Sequence, residues 1–337
     1  MSTSSGPRAR TGDSAAGAES LRRIEPSRSG WVERLRLRHP YPLLLERMAQ
    51  VPPAERPRIR VLDVPAGNGV LTIPLHAAGF DVVGCDLFPE TIRRTLDRFR
   101  GASVEETFAA CSSTFFTRGL RERLLPTPPP AVPERPGDVA CVPGDMEERL
   151  PFPDGDFDVV LCVEGIEHVK NRHRLLEELR RVLRRGGRLI LTTPNMLSVR
   201  ARVAYCFAGQ RAFQSYIDEY TDVWGRSEDG RRVFHGHAFL INYFQARYSL
   251  HHCGFRIRRL LRSNVSPTSF LLLPLLYPAI SGFTRLSQRK ARRHFARLLR
   301  EGAIPPDAAP PYHEMLGHVL SSELLLNSIM IVEAEAV

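Results

Sequence analysis

The stretch Val61-Leu62-Asp63-Val64-Pro65-Ala66-Gly67-Asn68-Gly69 constrains this chain more than any other. Ile59 to Val64 is a short apolar run that reads as a buried strand, and Val70 to Ala78 reads as a helix. Between them lies a tight glycine turn. Strand, glycine turn and helix bring backbone N–H groups and a helix N-terminus close to a ligand. Glycine serves there because a side chain would block the ligand or forbid the turn dihedrals. Asp63 adds a fixed negative charge beside the turn, which suits a ligand carrying an ammonium group and a nucleoside.

Downstream, strand and helix alternate, the pattern of an α/β, doubly wound, mainly parallel sheet. A second strand covers Asp81 to Asp86. Asp86 ends it about 20 residues past the glycine turn, where a carboxylate can accept from both ribose hydroxyls. Leu87-Phe88-Pro89-Glu90 opens a helix, with Pro89 suited to its first position. Residues 100–137 form an enlarged connection of one or two helices and a proline-rich loop. A third strand, Val139 to Val142, leads to Gly144-Asp145-Met146-Glu147, and a fourth, Val159 to Val163, to Glu164-Gly165-Ile166-Glu167-His168-Val169. A helix from Arg172 to Leu183 is closed by Gly186-Gly187 as a C-cap, and Arg188 to Thr193 makes strand five.

Taken together, residues 59–195 resemble the class I S-adenosylmethionine-dependent methyltransferases, in the group related to ubiquinone and other small-molecule methylating enzymes. The resemblance rests on Leu62–Gly69, Gly84-Cys85-Asp86, Gly144–Glu147, Phe157–Val169 and Leu183–Asn195, in that order. One departure is Pro65, where the family usually has glycine; proline removes an N–H and fixes φ. The resemblance implies a seven-stranded Rossmann-like sheet with helical insertions, and S-adenosyl-L-methionine as cofactor. It implies that Asp63, Pro65, Gly67, Asn68 and Gly69 hold the methionine portion and Asp86 the ribose. Asp145 would take the adenine amino group, Met146 and Leu87 the ring faces, and Val163 and Glu164 the sulfonium end.

Methyl transfer from a sulfonium is an in-line displacement, so positioning and exclusion of water can supply most of the acceleration. A hydroxyl acceptor is helped by a general base. His168, oriented by Glu167, is the best-placed candidate. His235 and His237, in Phe234-His235-Gly236-His237, are further candidates for a base or a substrate hydrogen bond. No carboxylate or cysteine stands near them at ligand spacing, so no metal site is expected.

The domain reading follows. Residues 1–29 are a disordered leader rich in Ser, Gly, Ala and Arg, and 30–57 are N-terminal helices interrupted at Pro40 and Pro42. The methyltransferase core spans 58–262, with a substrate lid at about 196–238 containing Phe213, Tyr216, Tyr220 and Trp224. A helix over Leu240–Cys253 precedes strand six, Gly254–Ile257. Residues 263–326 are an apolar and basic insertion, and 327–337 carry the last strand.

The insertion sets Ser269 to Ile280 before Arg285, Arg289, Lys290, Arg292, Arg293, Arg297 and Arg300. Broken by prolines, the apolar run is too short to span a bilayer, but it suits a peripheral membrane contact through 269–300. The expected acceptor is a small molecule, a lipid-linked molecule or a glycan. Net charge is +10, yet only Lys170 and Lys290 are lysine, a bias that weakens any argument from charge to nucleic acid. No base-flipping motif is visible, and no nucleic-acid partner is expected. Six scattered cysteines without a Cys-x-x-Cys pair, and a start lacking a basic-then-apolar pattern, point to a cytoplasmic protein, at the inner membrane face if the insertion binds lipid. Two other classes fit less well. A nicotinamide-dependent oxidoreductase wants a third glycine where Thr72 stands, and a non-catalytic interaction or membrane-tethering module would keep the fold without turnover.

Overall fold

The computed structural model describes residues 40–112, 118–126, 139–210, 224–226, 232–234, 239–306, 308 and 311–337. In chain order its elements are α1 (Pro40–Met48), β1 (Arg60–Asp63), α2 (Thr72–Ala77), β2 (Asp81–Asp86), α3 (Glu90–Arg98), α4 (Val104–Ser112) and α5 (Arg118–Leu124). Then follow β3 (Ala140–Pro143), β4 (Phe157–Val163), α6 (Arg172–Val182), β5 (Leu183–Pro194) and α7 (Val199–Ala208). The remainder is β6 (Trp224–Arg226), β7 (Arg232–Phe234), α8 (Tyr243–His252), β8 (Phe255–Leu261), α9 (Pro267–Arg300), α10 (Tyr312–Val319), α11 (Ser322–Leu325) and β9 (Ile329–Ala336).

Seven strands make one sheet in the order β3-β2-β1-β4-β5-β9-β8. The first five pair in parallel, and β9 runs antiparallel between β5 and β8. This is a doubly wound α/β sheet of the expected kind. The central strands carry apolar residues on both faces because helices cover both; β4 is buried along its whole length. One face packs under α6 and α8 through Leu175, Leu179, Tyr243 and Leu250. The other packs under α1, α2 and α3 through Leu44, Leu45, Ile73, Ile92 and Leu96. Asn171 caps α6 by accepting from the Arg174 N–H, and Asn242 with Gln245 forms a reciprocal cap on α8.

Four details differ from the sequence reading. Pro40 and Pro42 lie within the described helix α1, and the part of the 30–57 segment before Pro40 lies outside the described residues. Gly186 and Gly187 do not cap α6. The helix ends at an extended Leu183, and the four residues after it loop out of β5, whose pairing jumps from Phe157↔Leu183 to Val159↔Arg188. Within the presumed lid, Trp224–Arg226 and Arg232–Phe234 pair as a two-stranded hairpin, while the rest of 211–238, with His235 and His237, lies outside the described residues. Finally, the apolar run at 270–280 is no isolated short segment. It opens a continuous 34-residue helix that passes through Pro274 and Pro278, and by length and composition alone that helix could cross a membrane.

Candidate active site

Parallel strands deliver their C-terminal ends to one edge of the sheet, and a doubly wound fold places its ligand crevice there. Register puts Asp63 opposite Gly84 and opposite Leu161, so Asp63, Asp86 and Glu164 gather at that edge. The order β2-β1-β4 makes β1 the centre of the group.

Asp86 is 9% exposed and fastens the glycine turn. One carboxylate oxygen accepts from the Gly67 N–H at 2.8 Å and the other from the Phe88 N–H at 2.9 Å. A carboxylate offers about four acceptor positions, so capacity for two further donors remains. Burial pushes its pKa up, opposed by those N–H bonds. Gly67 has φ +54°, and nothing lies within 4 Å of where a Cβ would stand. The turn therefore leaves an open cradle beside the Asp86 carboxylate. Such a cradle, with a carboxylate offering spare acceptors, fits the ribose and adjoining chain of an adenosyl sulfonium.

Asp63 is less accessible than the sequence suggests. It is 2% exposed, and its carboxylate accepts from the Thr72 hydroxyl at 2.6 Å. Burial raises its pKa from 3.8 to about 7, against the pull of the Thr72 hydrogen bond and with a further push from Asp86. Thr72, which occupies the third-glycine position of a dinucleotide fingerprint, thus ties the first turn of α2 to the end of β1.

The turn after β4 is the strained part of the site. Glu164 has φ +50°, a left-handed conformation that a side chain normally avoids. Its N–H donates to the Thr192 hydroxyl oxygen at 2.9 Å, and that hydroxyl donates to the Glu164 carboxylate at 3.0 Å. Gly165 follows because nothing larger fits: a Cβ there would stand 2.4 Å from Cδ of Pro65. Pro65, the departure from the family pattern, therefore packs its ring against the β4 turn. Ile166–His168 is a single 3-10 turn in which Glu167 is fully buried and His168 half-buried.

Of the other sequence-predicted residues, Asp145 lies in the turn after β3, and its carboxylate accepts from the Glu147 N–H at 2.9 Å. Met146 packs against the core face below. Asn68 donates weakly to the Cys111 carbonyl at 3.5 Å. Val163 is buried at the end of β4, and Leu87 is half-buried after β2.

Tyr41 was not visible as a site residue in the sequence. The first turn of α1 brings its phenol into the field of Glu164, Asp63 and Glu167, and burial first, then those carboxylates, raises its pKa to about 12. A Pro-Tyr-Pro step in an apolar helix carries no positional signal for this, because Glu164 and Glu167 lie more than a hundred positions away in sequence. Among the described residues no cluster of His, Cys, Asp and Glu is arranged to hold a metal ion.

Comparison with known proteins agrees with this geometry. A family model described as a methyltransferase domain matches residues 34–259. An uncharacterized protein of Mycobacterium tuberculosis is 34% identical over 130 residues, 39% of this chain and 35% of that one. The demethylmenaquinone methyltransferase of Beutenbergia cavernae is 33% identical over 136 residues, covering 40% and 41%. The ubiquinone/menaquinone biosynthesis C-methyltransferase UbiE of Azotobacter vinelandii is 31% identical over 155 residues, covering 44% and 49%. The chain thus spans less than half the length of these relatives. The crystal structure of an S-adenosylmethionine-dependent methyltransferase from Archaeoglobus fulgidus covers 90% of this chain and 98% of its own at 13% identity and a TM-score of 0.41. With the family model matching well over half of the chain, this protein belongs to the methyltransferase-domain family of S-adenosylmethionine-dependent enzymes, and S-adenosylmethionine is its cofactor.

Proposed function

We propose that this chain methylates a small-molecule, lipid or glycan acceptor at the sheet edge formed by β1, β2 and β4. One observation carries the reading: the buried Asp86 carboxylate holds the open Gly67 turn while the strained Glu164 faces it across the end of β1. Asp86 is the group to bind the ribose hydroxyls, the cradle at Gly67 to take the adjoining chain, and Asp145, Met146 and Leu87 to meet the base. When bound, S-adenosylmethionine supplies a methyl group already activated on a sulfonium, so the protein's work is orientation and exclusion of water. Glu164 presents its carboxylate at the mouth of the site, and Glu167, buried behind it, is placed to orient His168. Tyr41, with its pKa near 12, keeps its phenolic proton at neutral pH and orients an acceptor oxygen or nitrogen by hydrogen bonding. His168 remains the candidate base for a hydroxyl acceptor.

Within the acceptor set, an apolar or lipid molecule is favoured. Two relatives bear names of quinone methyltransferases, and α7, which leaves the same sheet edge, exposes Phe207 and Tyr205. Titration calorimetry with S-adenosylhomocysteine tests the donor side. Binding is expected, and Asp86→Ala should weaken it about a hundredfold, the worth of two hydrogen bonds to a charged acceptor. A folded sample that binds nothing at millimolar ligand would refute the reading. Label transfer from radiolabelled cofactor into fractions of a cell extract then locates the acceptor.

A further inference from the structure

The long helix α9 is where the fold departs from simple burial. Its 34 residues run about 51 Å at 1.5 Å per residue, yet Ser269 is its only buried residue. Leu271 and Leu275 are each 75% exposed, Phe283 73% and Leu286 61%. Positions 271, 275, 278, 282, 286, 289, 293, 296 and 300 follow helical spacing along the outward side, and all are exposed. Read in order they are Leu, Leu, Pro, Gly, Leu, Arg, Arg, Ala and Arg. The outward stripe is therefore apolar over its first half and cationic over its second. No Asp or Glu occurs anywhere in the helix.

Phe207 of α7, 80% exposed, extends the apolar half, since α7 and α9 are tied by the Arg200 N–H donating to Ser269 Oγ at 3.0 Å. Helix α7 leaves the C-terminal end of β5, the sheet edge that carries the candidate site.

Helix α9 is fastened to the same body at its start and past its middle. At its start, Ser269 Oγ accepts from the Arg200 N–H of α7. Toward its end, the Gln288 side chain donates to the Tyr312 carbonyl, and the Tyr312 hydroxyl donates to the Ala291 carbonyl at 3.2 Å. Helix α10, which begins at Tyr312, is itself held to α8 by Tyr243 with His318 at 2.7 Å and by Arg247 with Glu314 at 2.9 Å. Ties to one domain at Ser269 and at Gln288 hold the apolar half alongside that domain, which favours lying flat over crossing a bilayer, although the helix's length and composition would allow a crossing.

We infer that the outward face of α9, with Phe207, is a docking surface for an anionic phospholipid bilayer, lying flat in the membrane interface. Apolar side chains of the first half enter the acyl boundary, and Arg289, Arg293 and Arg300 sit on headgroup phosphates. A second copy of the chain is a poorer occupant. Parallel pairing would set arginine against arginine, antiparallel pairing would set arginine against leucine, and the helix offers no acid to either. The inference goes beyond methyl transfer and does not depend on it.

Vesicle flotation tests it with the full chain. Phosphatidylglycerol vesicles should carry the protein up the gradient, phosphatidylcholine vesicles should not, and added salt should weaken the association. Leu271→Glu with Leu275→Glu should lower the partition about tenfold or more, and Arg289→Gln with Arg293→Gln should lower it about fivefold per residue. Circular dichroism and S-adenosylhomocysteine titration on the same samples show that the variants are folded, and they test the donor site separately. No flotation with phosphatidylglycerol, or flotation unchanged by both pairs of substitutions, overturns the inference. A lipid-free dimer in light scattering that the leucine substitutions dissolve overturns it too, by showing that a second copy covers the face.

Discussion

Replacing Asp63 with Asn should make the protein's stability less dependent on pH, by an amount that can be worked out. Asp63 is 2% exposed, and burial lifts its pKa from 3.8 to about 7. A raised carboxylate binds its proton more tightly when folded than when unfolded. It therefore contributes stability that is full below the unfolded pKa and is lost as pH climbs through the folded one. The whole span, about 3 pH units, is worth about 4 kcal/mol. Between about pH 5.5 and about pH 8.5 the unfolded group is ionised throughout while the folded one passes from protonated to ionised, which removes about 2 kcal/mol. Asn at 63 still accepts from the Thr72 hydroxyl and carries no charge, so this loss should vanish. Urea unfolding of both proteins at the two pH values reads it directly. The wild type should lose about 2 kcal/mol more than the variant on going to the higher pH, and contributions from other titrating groups cancel in that difference. Equal pH dependence within about 0.5 kcal/mol, or a wild type that gains stability relative to the variant, would refute the claim that Asp63 is held protonated by burial.

Tyr41→Phe should lower kcat about tenfold or more while leaving S-adenosylhomocysteine affinity within about twofold, because only the acceptor-side hydroxyl is removed; unchanged turnover would take Tyr41 out of the site. Gly165→Ala forces a Cβ to 2.4 Å from Pro65 Cδ, and the displaced turn should cost about 1–3 kcal/mol in denaturant unfolding and weaken cofactor binding. Glu333 is paired with Arg47 at 2.7 Å, Arg188 at 2.6 Å and Arg259 at 2.9 Å. Glu333→Gln should therefore destabilise by about 3–5 kcal/mol, seen as a lower unfolding midpoint, because it strands buried guanidinium charge.

The glycine turn and the two carboxylates beside it could be read from the sequence because their geometry is local. Val61 to Gly69 specifies a strand, a turn and a helix start within a few residues. Asp86 follows as the end of the next apolar run, and parallel pairing fixes where both carboxylates go. Central strands such as β4 are legible for the same reason: burial on both faces leaves an unbroken apolar run. The glycines at 186 and 187 misled because a Gly-Gly step after a leucine-patterned helix suits both a C-cap and a bulge, and only pairing with β4 decides between them. Helix α9 misled in another way. Pro274 and Pro278 break an apolar count, and each removes an intrahelical hydrogen bond at a cost of about 3 kcal/mol. Four residues apart, both prolines face outward in the structure and leave the side packed on α7 undisturbed.

The surroundings of Glu164 are hidden for a physical reason of their own. Their parts meet only through tertiary structure: α1 lends Tyr41, the turn after β4 holds Glu164 in a conformation that sequence does not announce, and β5 lends Thr192 to hold it. Glu164 shows why. Left-handed backbone at a non-glycine residue costs about 1–3 kcal/mol, and a glycine at 164 would avoid that cost while losing the carboxylate that Thr192 orients. Glu164 therefore trades local comfort for a fixed charge at the mouth of the sheet, beside a Gly165 that must stay small for Pro65 to pack against it. The glycine turn thus follows from short-range rules, whereas the surroundings of Glu164 are built from long-range contacts, and changes there need leave no mark on the glycine turn.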